Sequence, residues 1–140
     1  MDQAGGCLCG AIRYRVSLAP RAVSHCHCTF CRRASGAAFM TWMTLPSAGF
    51  AYTLGAPATY GSSPGIERHF CGQCGTSLVF KAVAHPEEVD VAAASLDDPT
   101  LVDPDDHVWV ETMLPWFDFS GDGLAKLDQA HWQLGYPKKK

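Results

Sequence analysis

Seven cysteines fall into three clusters, and no cysteine lies outside them. Cys7-Leu8-Cys9-Gly10 is a C-x-C-G, Cys26-His27-Cys28-Thr29-Phe30-Cys31 is a C-x-C-x-x-C, and Cys71-Gly72-Gln73-Cys74-Gly75 is a C-x-x-C-G. Zinc is held by four soft ligands in a tetrahedron, with sulfur at about 2.3 Å. A C-x-x-C turn brings two sulfurs to one point. In C-x-C, side chains two apart lie on one face of an extended segment, so both thiolates can face one ion. Two such pairs, one early and one late, make a four-cysteine site that closes a loop of about 60 residues and staples the fold.

Disulfides fit less well. The count is odd, and a C-x-C bridge is strained. The C-x-C-x-x-C spacing also differs from the ferredoxin patterns that hold iron–sulfur clusters. Seven is four plus three, so one closed site leaves three thiolates for a second metal. An ion with three protein ligands keeps an open position, the mark of a catalytic site. Spacing does not say which cluster stands alone. A fourth ligand from His25, His27 or His69 would close that second site and make it structural.

These clusters need short, rigid elements to hold them. Ile12 to Val16 alternates in the strand manner, and Phe39 to Leu45 is apolar and β-rich up to Pro46. Phe50 to Leu54, Ile66 to Phe70, Leu78 to Phe80 and Val89 to Val91 are further strand candidates. Clusters at Pro46 to Gly49, Gly55 to Pro57 and Gly61 to Gly65 separate them. One helical turn is expected after Cys31, through Arg32, Arg33 and Ala34, until Gly36 stops it. Loops rich in Asp and Pro lead from Leu96 to a last strand, His107 to Glu111. Leu114 to Phe117 is read as an aromatic clamp on the sheet or as plain core filling. The rhythm suggests a mainly β domain of antiparallel sheets.

The chain has 140 residues, 47% apolar and 18% charged, which suits one domain over 1–140 with its motifs in 6–116 and a tail at 117–140. A net charge of −3 and the lack of a basic stripe argue against nucleic acid or a membrane surface as partner. The basic run Lys138 to Lys140 reads as a frayed tail. The first residues carry no secretory pattern, so the chain is expected to be cytoplasmic, where thiols stay reduced and cysteines favour metal.

The three cysteine motifs, with Arg32-Arg33-Ala34-Ser35-Gly36 after the second and Thr76-Ser77-Leu78 after the third, resemble the glutathione-dependent formaldehyde-activating enzyme family, whose domain is shared with the centromere protein V group. The segments Asp90 to Pro99, His107 to Val110 and Leu114 to Trp116 are similar to it as well. The resemblance implies an Mss4-like fold with two zinc sites and two Zn2+ per chain. It implies that Cys7, Cys9, Cys71 and Cys74 hold the structural zinc, and that Cys26, Cys28 and Cys31 hold the second, where a thiol works. The implied reaction joins glutathione and formaldehyde, a carbon–sulfur lyase activity read in reverse. The expected partner is a small thiol such as glutathione.

Zinc in the three-cysteine site would lower the pKa of an incoming thiol from about 8.5. Arg32 or Arg33 could hold a substrate carboxylate in a bidentate pair. His25, His27 and His107 are candidate proton carriers, with Ser35 and His69 behind them. The rival function is a non-catalytic, zinc-stabilised binding module of the same fold, in which the second metal would be fully wrapped and no cavity would sit beside it.

Overall fold

A computed structural model describes residues 1–136; the basic run Lys138 to Lys140 lies outside the described residues. The strands are β1 (Gln3–Gly6), β2 (Arg13–Val16), β3 (Ala22–Cys26), β4 (Met40–Pro46), β5 (Phe50–Leu54), β6 (Ala58–Ser63), β7 (Ile66–Phe70), β8 (Ser77–Ala82), β9 (Glu88–Ala92), β10 (Asp106–Val108) and β11 (Ala125–Lys126). Two helices join them, α1 (Thr29–Ser35) and the short α2 (His131–Leu134). A three-stranded sheet runs β1-β2-β5, and an eight-stranded sheet runs β11-β10-β3-β4-β9-β8-β7-β6. The fold is mainly β with antiparallel and mixed pairing, in keeping with the Mss4-like expectation.

The small sheet covers one face of the large one. Tyr14 and Val16 from β2 meet Val23, Met43, Leu45, Val79, Val89 and Val91 in a single core. Met43, Leu45, Val79 and Val91 are wholly buried, and each such side chain stabilises the fold by roughly 1.5–3 kcal/mol. The buried Tyr14 hydroxyl is satisfied by Ser95 Oγ at 2.7 Å. Gly5 is required where β1 crosses this pair, because a Cβ there would stand 2.3 Å from the Tyr14 oxygen.

β4 carries apolar residues on both faces, interrupted only by Thr41 and Thr44, because both faces are covered. Met43 and Leu45 enter the main core, while Met40 and Trp42 turn to a second cluster with Cys26, Cys31, Ala92 and Val108. β9 divides the same way, with Val89 and Val91 on one face and Ala92 on the other. That second face carries the candidate site.

Several elements differ from the reading of the sequence alone. β10 pairs in parallel with both β3 and β11, so the sheets are not wholly antiparallel. The expected strand from His107 to Glu111 stops at Val108, because Trp109 takes φ 57° and turns the chain into a 3-10 turn at Val110–Thr112. It is not the last strand, since β11 follows it. The separator at Gly61 to Gly65 is mostly strand: β6 runs to Ser63 with a register shift between Gly61 and Ser63, and the turn is made by Gly65 at φ 73°. β1 and β3 carry no strong alternation and are absent from the expected strands. The aromatic clamp is partial, since Trp116 is exposed while Phe117 stacks on Phe119 and meets Phe39 edge-on.

Candidate functional site

Two groups of cysteines converge. Among the described residues, Cys7, Cys9, Cys71 and Cys74 form one group and Cys26, Cys28 and Cys31 the other, with sulfurs within 4.8 Å of one another in each. All seven thiols are unpaired by disulfides.

In the four-cysteine group the Cys7 and Cys9 sulfurs are 3.6 Å apart, and those of Cys9 and Cys71 are 3.8 Å apart. A tetrahedral ion with sulfur bonds of 2.3 Å has an edge of about 3.8 Å, so the donors fit such an ion. Backbone N–H groups already point at the sulfurs. Ile12 donates to Cys7 at 3.2 Å and Cys74 to Cys71 at 3.4 Å. Gly10 and Gly75, at φ 80° and 81°, close the two turns with N–H bonds back to the Cys7 and Cys71 carbonyls. The hydrogen bond with the Thr76 hydroxyl holds Cys74 well below the usual thiol range, at about 5.

The three-cysteine group is assembled by β3 and α1. Cys26 ends the strand, and Cys28 caps the helix by accepting from the Cys31 N–H at 3.3 Å. The helix therefore begins at Thr29, ahead of the turn expected after Cys31, and Gly36 ends it at φ 68° with its N–H on the Arg32 carbonyl. Hydrogen bonds with Cys26 and Cys31 hold the Cys28 thiol far below its ordinary range. The same contact with Cys28, added to burial, pushes Cys26 far above it. Three sulfurs this close compete for charge, and a cation among them removes that conflict.

Two further groups reach this cluster. The Trp42 indole N–H donates to Cys31 Sγ at 3.4 Å. The Arg68 guanidinium, 7% exposed, directs both terminal nitrogens at the same sulfur, at 3.6 and 3.7 Å. Arg68 also donates to Ser62 Oγ at 3.1 Å and lies over the Phe80 ring at 5.1 Å.

Beside the three sulfurs lies a cavity of about 480 Å³ whose wall includes Cys26, Cys28, Cys31, Trp42, Arg68 and Phe80. Its wall also carries Thr44, Glu88 and Asp90. Burial pushes the Asp90 carboxyl up to about 7 against the opposing hydrogen bond from Thr44 at 2.5 Å, and the charges of Glu88 and Cys31 add to the rise. Glu88 is engaged by Arg21 at 2.5 Å and by the Tyr136 hydroxyl. Residues 117–136 are more than a tail, since Ala130, His131 and Tyr136 line the cavity and His131 hydrogen-bonds the buried Asp106.

The histidines expected as proton carriers or ligands sit elsewhere. His25 and His107 are register partners, and strand alternation turns them away from the face that carries Cys26 and Val108. His27 Nε2 meets His107 Nδ1 at 2.7 Å, and His107 Nε2 meets Asp122 at 2.5 Å, under Phe39 and Phe119. Burial holds His27 down at about 4, so it is neutral near pH 7. His25 is bonded to Thr41, and His69 to Tyr52 and Glu67. None of them joins the three sulfurs, and among the described residues no fourth Cys, His or carboxylate does. Arg32 does not line the cavity, whereas Arg33 lines an adjoining groove that shares Thr29, Phe30, Ser62 and Arg68 with it. Ser35 caps α1 by donating to the Cys31 carbonyl at 2.7 Å.

Sequence reasoning missed Arg68 and Asp90. Asp90 left a signal, a carboxylate between Val89 and Val91 in a strand; Arg68 left none.

Comparison with known proteins follows the same lines. The family described as "Glutathione-dependent formaldehyde-activating enzyme" matches residues 2–112. A Halomonas elongata protein provisionally named as a glutathione-dependent formaldehyde-activating enzyme is 30% identical over 143 residues, spanning 95% of this chain and 87% of that protein. An uncharacterized lyase of Schizosaccharomyces pombe is 37% identical over 78 residues, covering 54% of this chain and 55% of that one. A crystal structure of a Rhodobacter sphaeroides protein aligns with TM-score 0.57 at 23% identity, over 89% of this chain and 98% of that one, a likeness of fold. No described helix is long and apolar enough to cross a membrane.

Proposed function

The chain belongs to the glutathione-dependent formaldehyde-activating enzyme family, and from that premise we propose that it is a zinc-dependent, carbon–sulfur lyase-type enzyme that makes or cleaves the adduct of a small thiol with an aldehyde. Cys7, Cys9, Cys71 and Cys74 hold a structural zinc, and Cys26, Cys28 and Cys31 hold a second one. The observation that carries this reading is the convergence of three sulfurs on a cavity wall with no fourth ligand among the described residues. A fully wrapped ion with no cavity beside it would have favoured the binding-module reading.

When bound there, zinc lowers the pKa of a thiol that completes its shell, so that a sulfur nucleophile exists near neutral pH. The chain's own residues do the rest. Arg68 and Trp42 place N–H donors on Cys31 and draw off part of its charge, which keeps the site receptive to a further sulfur. Arg33, in the adjoining groove, is placed to receive a carboxylate of a thiol such as glutathione.

Asp90 is the proton carrier. Addition forms the carbon–sulfur bond with the sulfur's electron pair, and protonated Asp90 supplies the proton to the aldehyde oxygen. In cleavage the Asp90 carboxylate takes the proton of the adduct hydroxyl, and the carbon–sulfur pair returns to sulfur. A carboxyl that titrates near 7 serves both directions. His27 and His107, turned to the opposite face, keep the strand crossing in place instead.

The test is a metal count with thiol titration. Two zincs per chain are expected, and glutathione added to the cobalt-substituted protein should change the thiolate-to-cobalt absorption. Two metals with no response to any thiol would defeat the proposal.

A further inference from the structure

Formaldehyde, one carbon and one oxygen, would leave the cavity beside Cys26, Cys28 and Cys31 nearly empty. At about 30 Å³ per water in the liquid, 480 Å³ corresponds to roughly sixteen waters. The volume lies in the range of sites that enclose most of a ring-bearing small molecule, and the walls are of that type. Phe30, Trp42, Phe80, Trp109 and Tyr136 contribute aromatic surface, and Val108 and Ile66 add aliphatic surface.

Trp109 is held in place at a cost. Among the described residues it is the one non-glycine at positive φ, a conformation disfavoured by about 1 kcal/mol or more, and the turn it makes places it on the cavity wall. Thr112 at the end of that turn is tied to the His27 carbonyl at 2.8 Å, which keeps the wall next to the cysteine loop.

Charge selects further. Among the described residues the cavity's one arginine, Arg68, already serves Cys31, Ser62 and the Phe80 face. Glu88 and Asp90 share the wall with it, and Arg21, the cation that balances Glu88, is not part of the wall. Among the described residues, a carboxylate entering the cavity would meet two acidic residues, a His131 already bonded to Asp106, and no free cation. A hydroxyl or other neutral donor would find Asp90.

We propose that this cavity receives the carbonyl half of the adduct, and that this half is a neutral, ring-bearing aldehyde with its ring among Trp42, Phe80 and Trp109, while the far end of the thiol lies in the Arg33 groove that shares Thr29, Phe30, Ser62 and Arg68 with the cavity. The proposal rests on the functional reading above and names the substrate class of that site.

The test uses the zinc-loaded chain and the indole N–H resonances of Trp42 and Trp109, assigned with the Trp42→Phe and Trp109→Phe variants. Benzaldehyde and benzyl alcohol should shift both signals saturably. Benzoate should bind at least tenfold more weakly, and formaldehyde should give no saturable shift at either. Asp90→Asn should narrow the gap between benzyl alcohol and benzoate at least fivefold. Equal binding of benzoate, saturation by formaldehyde, or shifts confined to the exposed Trp116 would overturn the inference. A cobalt spectrum unresponsive to every thiol overturns the functional reading, and with it the assignment of the ring to a substrate. A thiol-responsive spectrum with no preference for rings overturns this inference alone.

Discussion

Arg68 and Cys31, 37 residues apart in the chain, meet in the interior with both terminal guanidinium nitrogens within 3.7 Å of the sulfur. A buried arginine needs a counter-charge, and a cysteine cluster supplies one when its thiols ionise. Replacing Arg68 with Ala should weaken metal binding by the three-cysteine site about 10- to 100-fold, the range found when groups bonded to metal ligands are removed. Arg68→Lys should restore part of it, because a point charge replaces one arm of the fork. Competition with a chromogenic chelator measures both, and unchanged affinity in Arg68→Ala would show that the contact is incidental.

The two cysteine groups should fail differently. Cys7 and Cys71 are buried in the main core, and their cluster ties the β1–β2 turn to the β7–β8 turn. Structural zinc sites in small domains bind with apparent free energies of roughly 10–16 kcal/mol, much of it folding energy. Cys74→Ser should therefore give a chain that is insoluble or melts without a cooperative transition. Cys28→Ser should remain folded by circular dichroism and lose one metal and its activity.

The metal motifs were legible because their chemistry is local: two or three residues of spacing decide which sulfurs can meet. The strands with a covered face were legible for the same reason, as at β2 and β9, where alternation tracks burial. The cavity was not. Its floor is formed where β3, β4, β7, β8, β9 and β10 lie side by side, and that order is not written in any single segment. Asp90 shows the difficulty. Between two valines it reads as the solvent side of a half-buried strand, yet Tyr136 and His131 wall the cavity it faces. Trp109 is the other case, since a run of His107, Val108, Trp109 and Val110 has every β-propensity and one backbone angle undoes it.

The buried histidine pair offers a control. His107 is wholly buried, bonded to His27 and to Asp122, and packed on Phe119 at 4.5 Å. His107→Ala should destabilise the fold by about 2–3 kcal/mol through the lost packing and the unpaired partners. It should not move the pH midpoint of activity, because the ring faces away from the cavity. Thermal melts with a pH–rate profile separate the two effects, and a displaced midpoint would restore the histidines as proton carriers.

Asp90 carries the last prediction, and its sign follows from which form the cavity disfavours. Burial raises its folded pKa to about 7 from an ordinary value of 3.8. Between those values the folded chain binds a proton that the unfolded chain has released, so the wild type loses stability as pH climbs from about 4 to about 7, and loses no more above that. The full loss is a few kcal/mol at most. Asp90→Asn has no carboxylate to ionise, so its stability should hold across the same window. The zinc-loaded variant should gain on the wild type by roughly 5 °C or more in Tm at pH 8 compared with pH 5. Cleavage activity of the wild type, which needs the carboxylate, should rise through the same pH range, and the variant should lack that rise. A variant that tracks the wild-type melting curve at every pH would place the Asp90 carboxylate in water and remove it from the mechanism.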